Sequence, residues 1–341
     1  MLRMVSLVTS IASACLSATQ AYSQNLGPSF KGKTIDVIIG FPTGGGNDVY
    51  ARLLSGHMGR HIPGNPNFVT RNMPGAGSFL AVNHIYNSAP RDGTVIALAA
   101  PTIALDERLG TDGVRFKAQE LSWLGRMNSN HNLLMTWRTS SVKTFEQALL
   151  QETTLSGTGV GSTVSIYPTV LNNVLGTKFK LIMGYRGSNE AMLAMERGEA
   201  EGHSTAWAAI KAANPDWIKS GAINPVVQFG LQRHPELKDV PTAIELAKTQ
   251  EQREILSAVL NATEVGYAFF STPRLSTDTL AMLRYAFNAT MEDKDFLKDA
   301  DRMRVEIAPL SGQKLQEIIA NVINLSPGLA EKVRSASEQS K

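Results

Sequence analysis

The residue types point most directly to chemistry in the segment Phe41-Pro42-Thr43-Gly44-Gly45-Gly46-Asn47-Asp48. An aliphatic run over residues 34–40 (TIDVIIG) ends there, and a helical pattern begins with Asn47 or Asp48 placed as its N-cap. Glycine accepts backbone angles that other residues resist, and without a side chain it lets a ligand approach the main chain. A helix start leaves unpaired N–H groups and the positive end of a macrodipole facing the same space. Together these features make a site for an anion, a carboxylate or a phosphate. A glycine-rich turn that binds nothing is the alternative for this segment taken alone.

The nucleotide motifs are not met. A dinucleotide fingerprint would need glycine where Val49 stands, and a phosphate loop would need Gly-Lys-Ser/Thr where the chain has Val49-Tyr50. No cofactor is expected. A second cluster, Ser156-Gly157-Thr158-Gly159-Val160-Gly161-Ser162-Thr163, follows a strand candidate at 153–155 and precedes a helical pattern through Val164, Tyr167, Val170, Leu171 and Val174. It repeats the order of strand, glycine loop and helix, with the Ser162 and Thr163 hydroxyls as donors. Ligands of open α/β sheets sit beyond the carboxyl ends of strands, and clefts between domains are favoured sites. Two such loops facing each other are worth more than either alone.

Catalytic and metal chemistry have weaker support. His57 and His61 stand four residues apart, but no Glu follows His57 and Gly59 weakens the helix there. His84, His131, His203 and His234 show no ligand spacing, and no G-x-S-x-G elbow offers a nucleophile. Neither a catalytic residue nor a metal site is expected. An exported hydrolase is the competing class, to be recognised by turnover of an ester or amide.

The elements that must hold these loops read as α/β. Residues 34–40 and 94–100 (TVIALAA) are short, nearly continuous aliphatic runs, the pattern of parallel strands buried on both faces. Residues 133–137, 181–183, 225–229 and 265–270 read similarly. Amphipathic helices lie between them, marked by Val49, Leu53, Leu54 and Met58, by Leu280, Leu283, Phe287 and Met291, and by Leu315, Ile318, Ile319, Val322 and Ile323. These stripes read as core packing. No repeat of fixed period and no low-complexity stretch interrupts them.

With 341 residues, the chain is long enough for two domains. Hydrophobic residues at 43% and charged residues at 18% exclude a disordered or collagen-like chain, and a net charge of +3 without basic runs argues against nucleic acid. Residues 1–23 have the layout of a secretory signal peptide: Arg3 near the start, an uncharged run over 5–18, and Ala21-Tyr22-Ser23 as a cleavage site before Gln24. Cys15, the single cysteine, lies inside that segment, so the mature chain would carry no thiol, disulfide or cysteine-based metal site. Ala12-Ser13-Ala14-Cys15 lacks the bulky aliphatic residue of a lipidation signal. A soluble, periplasmic protein is expected.

Several segments carry a family resemblance. "VIIGFPTGGGNDVYARLL" resembles the opening of the extracytoplasmic receptors of tripartite tricarboxylate transporters, the Bug-type receptors, down to the Ala51-Arg52 pair. "VTRNMPGAGSFLAVNHIYNSAPRDGTVIAL" is similar to the family's Asn-x-Pro-Gly-Ala-Gly-Gly segment and later Asp-Gly-Tyr-Thr strand entry. "GYRGSNEAMLAMERGEAEG", "RHPELKDVPTAIELA" and "FFSTPRLSTDTLAMLRYAF" follow in the family's order. The chain departs from the pattern at Asn47 (usually Thr), Ser78 (Gly) and Gly184 (often Pro), and in GEAEG, where Glu199 and Glu201 add negative charge near the expected cleft.

The resemblance implies a two-lobed receptor of the type II periplasmic binding-protein kind, closing around a small carboxylate. It implies that main-chain amides and hydroxyls of the first strand-to-helix loop, at the positions Phe41, Pro42, Thr43, Gly44 and Gly45, hold the carboxylate, with Thr102 adding a hydroxyl after the 94–100 strand. From the other lobe it implies Gly159, Gly161, Ser162 and Thr163, with Tyr185, Gly187 and Glu190 after the strand leading to them. Arg186 is either a second contact for a dicarboxylate or a solvated arginine, and Trp207 either covers the ligand or packs as a buried indole. Residues 24–126 with 268–341 are expected to form the first lobe and 127–267 the second, in a monomer that meets integral membrane transporter subunits transiently. A ligand-sensing partner of a membrane sensor kinase would use the same fold and cleft.

Overall fold

The aliphatic run at the start of the chain becomes strand β1 (Thr34–Ile39), and its neighbours follow from where like runs recur. β2 (Asn67–Asn72) and β3 (Val95–Leu98) flank it in parallel, as continuous burial of β3 on both faces requires. β4 (Ser122–Arg126), β5 (Asn132–Trp137), β6 (Thr153–Ser156), β7 (Phe179–Ile182), β8 (Gly202–Ala206), β9 (Ile223–Phe229), β10 (Ala268–Ser271) and β11 (Leu310–Ser311) complete the set in the computed structural model, which describes residues 28–159 and 162–338. The expected signal segment, with Cys15, and Gly161 lie outside the described residues.

Two sheets result. One runs β11-β4-β10-β3-β1-β2 and the other β7-β6-β8-β5-β9. β10 is antiparallel to both β3 and β4, and β5 is antiparallel to both β8 and β9. In each sheet the strands that carry the glycine loops are parallel, β1 with β2 and β3, and β6 with β7 and β8. The architecture is mixed α/β and two-lobed, as the sequence implies.

The chain passes between the sheets twice, after β4 and before β10, and the two passages run side by side. Met127 donates its N–H to Tyr267 O (3.1 Å), Tyr267 to Asn128 O (2.9 Å) and Asn130 to Thr263 O (2.9 Å). Gly266 makes this pairing possible: its φ is 58°, and a Cβ there would meet Asn128 O at 2.1 Å. The passages are therefore tied to each other by backbone hydrogen bonds rather than left as two loose linkers.

A large core joins Trp123 and Phe270 of the first sheet to Phe229 of the second and Tyr167 of the helix Thr163–Val170. The helix Gln250–Val265 contributes to it and packs on Gly312–Ile323 and Pro327–Ser337. The last of these also touches Ile103–Leu109 and Thr163–Val170, so it lies astride both lobes. A second core behind β1 gathers Tyr50, Leu54, Phe269 and Phe287. The Leu315–Ile319–Val322 stripe is buried as its spacing requires.

The buried His57 and the half-buried His61 each meet a different carboxylate rather than sharing one ion: His57 Nε2 lies 3.1 Å from Asp299 and His61 Nε2 2.9 Å from Asp293. Trp207 packs as a buried indole with Met192 and Met195, and its Nε1 donates to Glu236 (2.6 Å).

Candidate functional site

The glycine loop after β1 is shaped by an acid in the helix behind it. The helix Gly46–His57 starts two or three residues earlier than the sequence suggests, with Gly45 rather than Asn47 or Asp48 as its N-cap and no side-chain cap. Asp48 instead sits in the first turn, buried, and its carboxylate turns back: Oδ2 accepts the Gly44 N–H (2.9 Å) and Arg52 Nε (2.9 Å), while Oδ1 accepts Asn72 Nδ2 (2.8 Å). Asn72 also donates to Phe41 O (2.9 Å), and Arg52 reaches Thr70 and Asn72. Burial pushes the Asp48 carboxyl up, but the bonds from Arg52, Gly44 and Asn72 outweigh it and hold the group below the usual carboxylate range. Asp48 and Arg52 thus fasten the loop to β2.

This arrangement corrects the place of Gly44. Its φ of 85° is one that glycine tolerates best, its N–H is taken by Asp48, and its carbonyl accepts Asn189 Nδ2 from the other lobe (2.9 Å). Gly44 shapes the turn and does not line the main cavity.

That cavity lies between the lobes and has a volume of about 570 Å³, within the range of small-ligand sites. Phe41, Pro42, Thr43 and Gly45 line it from the first loop, joined by Gly46 and Asn47 of the following helix. Gly159, Ser162 and Thr163 line it from the second loop, and Gly187 from the third. The helices Gly46–His57, Thr163–Val170 and Ser188–Glu196 all begin at this wall, their N-caps being Gly45, Ser162 and Gly187. Three sets of unpaired N–H groups and three positive dipole ends converge on one space.

The remaining expected residues lie elsewhere. Thr102 is 1% exposed at the base of the helix Ile103–Leu109, so its hydroxyl points into protein; Pro101 before it lines the cavity. Tyr185 turns away, its hydroxyl 3.4 Å from Glu199. Glu190 accepts the Arg186 N–H (2.8 Å) and Arg186 Nε (3.1 Å) at the surface. Arg186 lines the rim with a side chain 88% exposed and already paired, which is the solvated arginine. Glu201 caps the edge of β6, accepting the Thr154 N–H (3.0 Å), and neither it nor Glu199 lines the cavity.

Other residues enter the wall unannounced. The loop Pro74-Gly75-Ala76-Gly77-Ser78 lines it after β2, with Ala76, Gly77 and Ser78 all at positive φ. Ser78, at φ 77°, occupies a conformation that explains why the family pattern has glycine there; its Oγ accepts the Ala100 N–H (2.8 Å), tying this loop to the end of β3. A Cβ on Gly40 would meet the Ser78 Cβ at 2.4 Å, so the two loops touch. The run of small residues was the available signal. Asn130 of the crossing segment, Asn132 of β5 and Thr205 of β8 also line the cavity. Thr205 donates to Ser188 Oγ (3.0 Å), and the buried Asn130 Oδ1 has no hydrogen-bond partner among the described residues.

On the other side of the crossing segments, Glu306 of the C-terminal region meets Lys211, and its Oε2 lies 3.4 Å from His234 Nε2. His234, Glu236 and Glu306 have ligand atoms close enough to hold a metal ion, but the Lys211 ammonium bonds both carboxylates and takes the cation's place. The His234 bond comes first among the causes that bring the Glu306 carboxyl down to about 2; burial opposes it and Lys211 reinforces it.

Two lobes enclosing a cleft walled by helix N-termini are the architecture of the periplasmic binding-protein fold. The comparisons agree. The tripartite tricarboxylate transporter family receptor model matches residues 51–334. A curated relative, the UPF0065 protein in gbd 5'region of Cupriavidus necator, is 21% identical over 339 residues, covering 96% of each chain. Among solved structures, the periplasmic binding protein BugD matches with a TM-score of 0.71 at 18% identity, over 91% of this chain and 99% of its own. Rpa4515 of R. palustris, solved with adipate, matches at 0.68 and 19% identity, over 89% and 97%. The chain belongs to the tripartite tricarboxylate transporter receptor family. No described helix is long and apolar enough to cross a membrane.

Proposed function

We propose that the protein is a periplasmic receptor that captures a small carboxylate between its lobes and delivers it to a tripartite tricarboxylate-type membrane transporter. The lobes comprise residues 24–126 with 268–341, and 127–267, with the helix Pro327–Ser337 astride them. The observation that carries this reading is the meeting of three helix N-termini in one cavity, with peptide N–H groups of the Gly45–Gly46 turn at its wall. A hydrogen bond to a charged group is worth about 1.5–3 kcal/mol, so three or four such donors supply micromolar affinity after the cost of ordering the ligand. Thr43, Gly159, Ser162, Thr163 and Gly187 complete the ligand-binding set together with Phe41 and Pro42. The similarity to Rpa4515, solved with adipate, supports a carboxylate as the ligand class.

The test is a thermal-shift panel on the mature protein with succinate, malate, adipate, citrate and benzoate. At 100 times its dissociation constant, a bound acid adds about 2.7 kcal/mol of stability, and the midpoint rises. At least one acid is expected to raise it and to be recovered unchanged. No shift with any acid, or conversion of the acid, would overturn the reading.

A further inference from the structure

Tyr267 lies on the crossing segment just before β10 and is 2% exposed. Its ring stacks on Tyr50 with centroids 3.8 Å apart and planes 12° from parallel. The stack fixes where the hydroxyl points: a Cβ built on Gly46 would lie 3.1 Å from it, so the phenol oxygen stands beside the first residue of the helix Gly46–His57. Tyr267 also lines the main cavity.

The two stacked tyrosines differ in what their hydroxyls do. Tyr50 donates to Glu306 O (2.9 Å) and receives Asn128 Nδ2 (3.3 Å). The Tyr267 hydroxyl has no hydrogen-bond partner among the described residues, although the side chain is almost wholly buried. The oxygen is not among the sealed, unpartnered side-chain atoms of the described residues, so the tip of this otherwise buried ring opens to the cavity and its donor is free for a ligand. The space it faces is the cleft.

We propose that the Tyr267 hydroxyl is a ligand-contacting donor, placed beside the Gly46 N–H so that one oxygen of the bound acid accepts from both. This inference rests on the carboxylate reading of the cleft and adds to it a residue that neither glycine loop contains. Burial, then the neighbouring Tyr50 and Glu306, raise the phenol pKa well above its ordinary value. The group therefore stays protonated, always a donor and never a competing anion. Because Tyr267 sits on the passage between the lobes, an acid held by it contacts the first-lobe helix and the crossing segment together.

Calorimetry on Tyr267→Phe tests this, using whichever acid of the panel the wild type binds. Phenylalanine keeps the stack on Tyr50 and removes only the donor. Affinity is expected to fall at least about ten-fold, the size of a lost charge-assisted hydrogen bond, while the midpoint of the ligand-free protein does not fall. Tyr50→Phe, which also keeps the stack but alters a hydroxyl outside the main cavity, is expected to bind within about two-fold of wild type. Gly46→Ala gives a second reading, since its Cβ would press on the phenol oxygen and weaken binding in the same direction. Unchanged affinity in Tyr267→Phe, with wild type binding normally, would overturn the inference and leave the carboxylate reading standing. Failure of wild type to bind any acid of the panel would overturn both.

Discussion

Asn189 reaches across the cleft and donates its amide to the carbonyl of Gly44, 2.9 Å away. The bond joins the start of the helix Ser188–Glu196 to the turn that shapes the first loop, and Pro42 faces Gly187 nearby. It is a direct bridge between two loops whose helices both aim their N-termini at the cavity. With the Glu306 cluster on the far side of the crossing segments, it gives the lobes two separated points of polar contact besides their shared core.

Removing the first point should favour separation of the lobes. Asn189→Ala loses one neutral hydrogen bond, worth about 0.5–1.5 kcal/mol, and is expected to weaken acid binding by up to about ten-fold. Small-angle scattering checks the cause: the ligand-free variant should be less compact than wild type, and an equal radius of gyration would contradict it.

Gly45→Val separates binding from folding. Gly45 has φ −80°, which valine adopts, and a Cβ there meets nothing within 4 Å. The variant should fold, losing about 1 kcal/mol because valine is a poor N-cap, yet its branched side chain occupies the anion's position. Calorimetry is expected to find no binding alongside an unchanged circular-dichroism spectrum. Wild-type affinity would remove this turn from the site.

Acid should weaken the fold in two windows. Burial brings both His131 and His203 down to about 4. The unfolded chain takes up protons at these rings near pH 6.5, so stability falls as pH drops from about 6.5 to 4. Denaturant titrations of His203→Gln should show a shallower decline there, and an identical slope would count against a neutral buried ring.

The second window belongs to Glu306. Its carboxyl is held at about 2, against an ordinary value of 4.5, so the stability it contributes is complete above pH 4.5 and is lost between 4.5 and about 2. Glu306→Gln should reduce the steepness of that acid limb and leave Lys211 without its cross-lobe partner. An acid limb of wild-type steepness would contradict the assignment.

What could be read from residue types was what glycine, proline and aliphatic runs report locally. β1 and β3 announce themselves as nearly continuous aliphatic segments, and both glycine loops follow their strands as read. β8, with the sequence GHSTA, does not, because it is buried through polar side chains: His203 Nδ1 bonds Ser156 and Thr205 bonds Ser188, while Ser204 Oγ has no partner among the described residues. β2 is an edge strand of alternating exposure whose Asn72 matters only because the fold brings it to Asp48. The Asp48–Arg52 pair stands four apart on one helix face, a spacing visible in sequence, but its target, the Gly44 N–H, is a consequence of the turn. Thr102, Tyr185 and Glu190 show the converse: each stands next to a cavity residue in sequence and turns the other way in space. Tyr267 could not be singled out, since an aromatic residue in an apolar strand reads as core until the direction of its hydroxyl is known.

The most direct test is a crystal structure of the mature protein with the acid that most raises its melting point. The account expects a carboxylate oxygen about 3 Å from the peptide nitrogens of the Gly45–Gly46 turn, with the other lobe's Ser162–Thr163 or Gly187–Ser188 turn closing on the same molecule. An acid bound through surface arginines outside this cleft, or a cleft filled by the protein's own side chains, would contradict it.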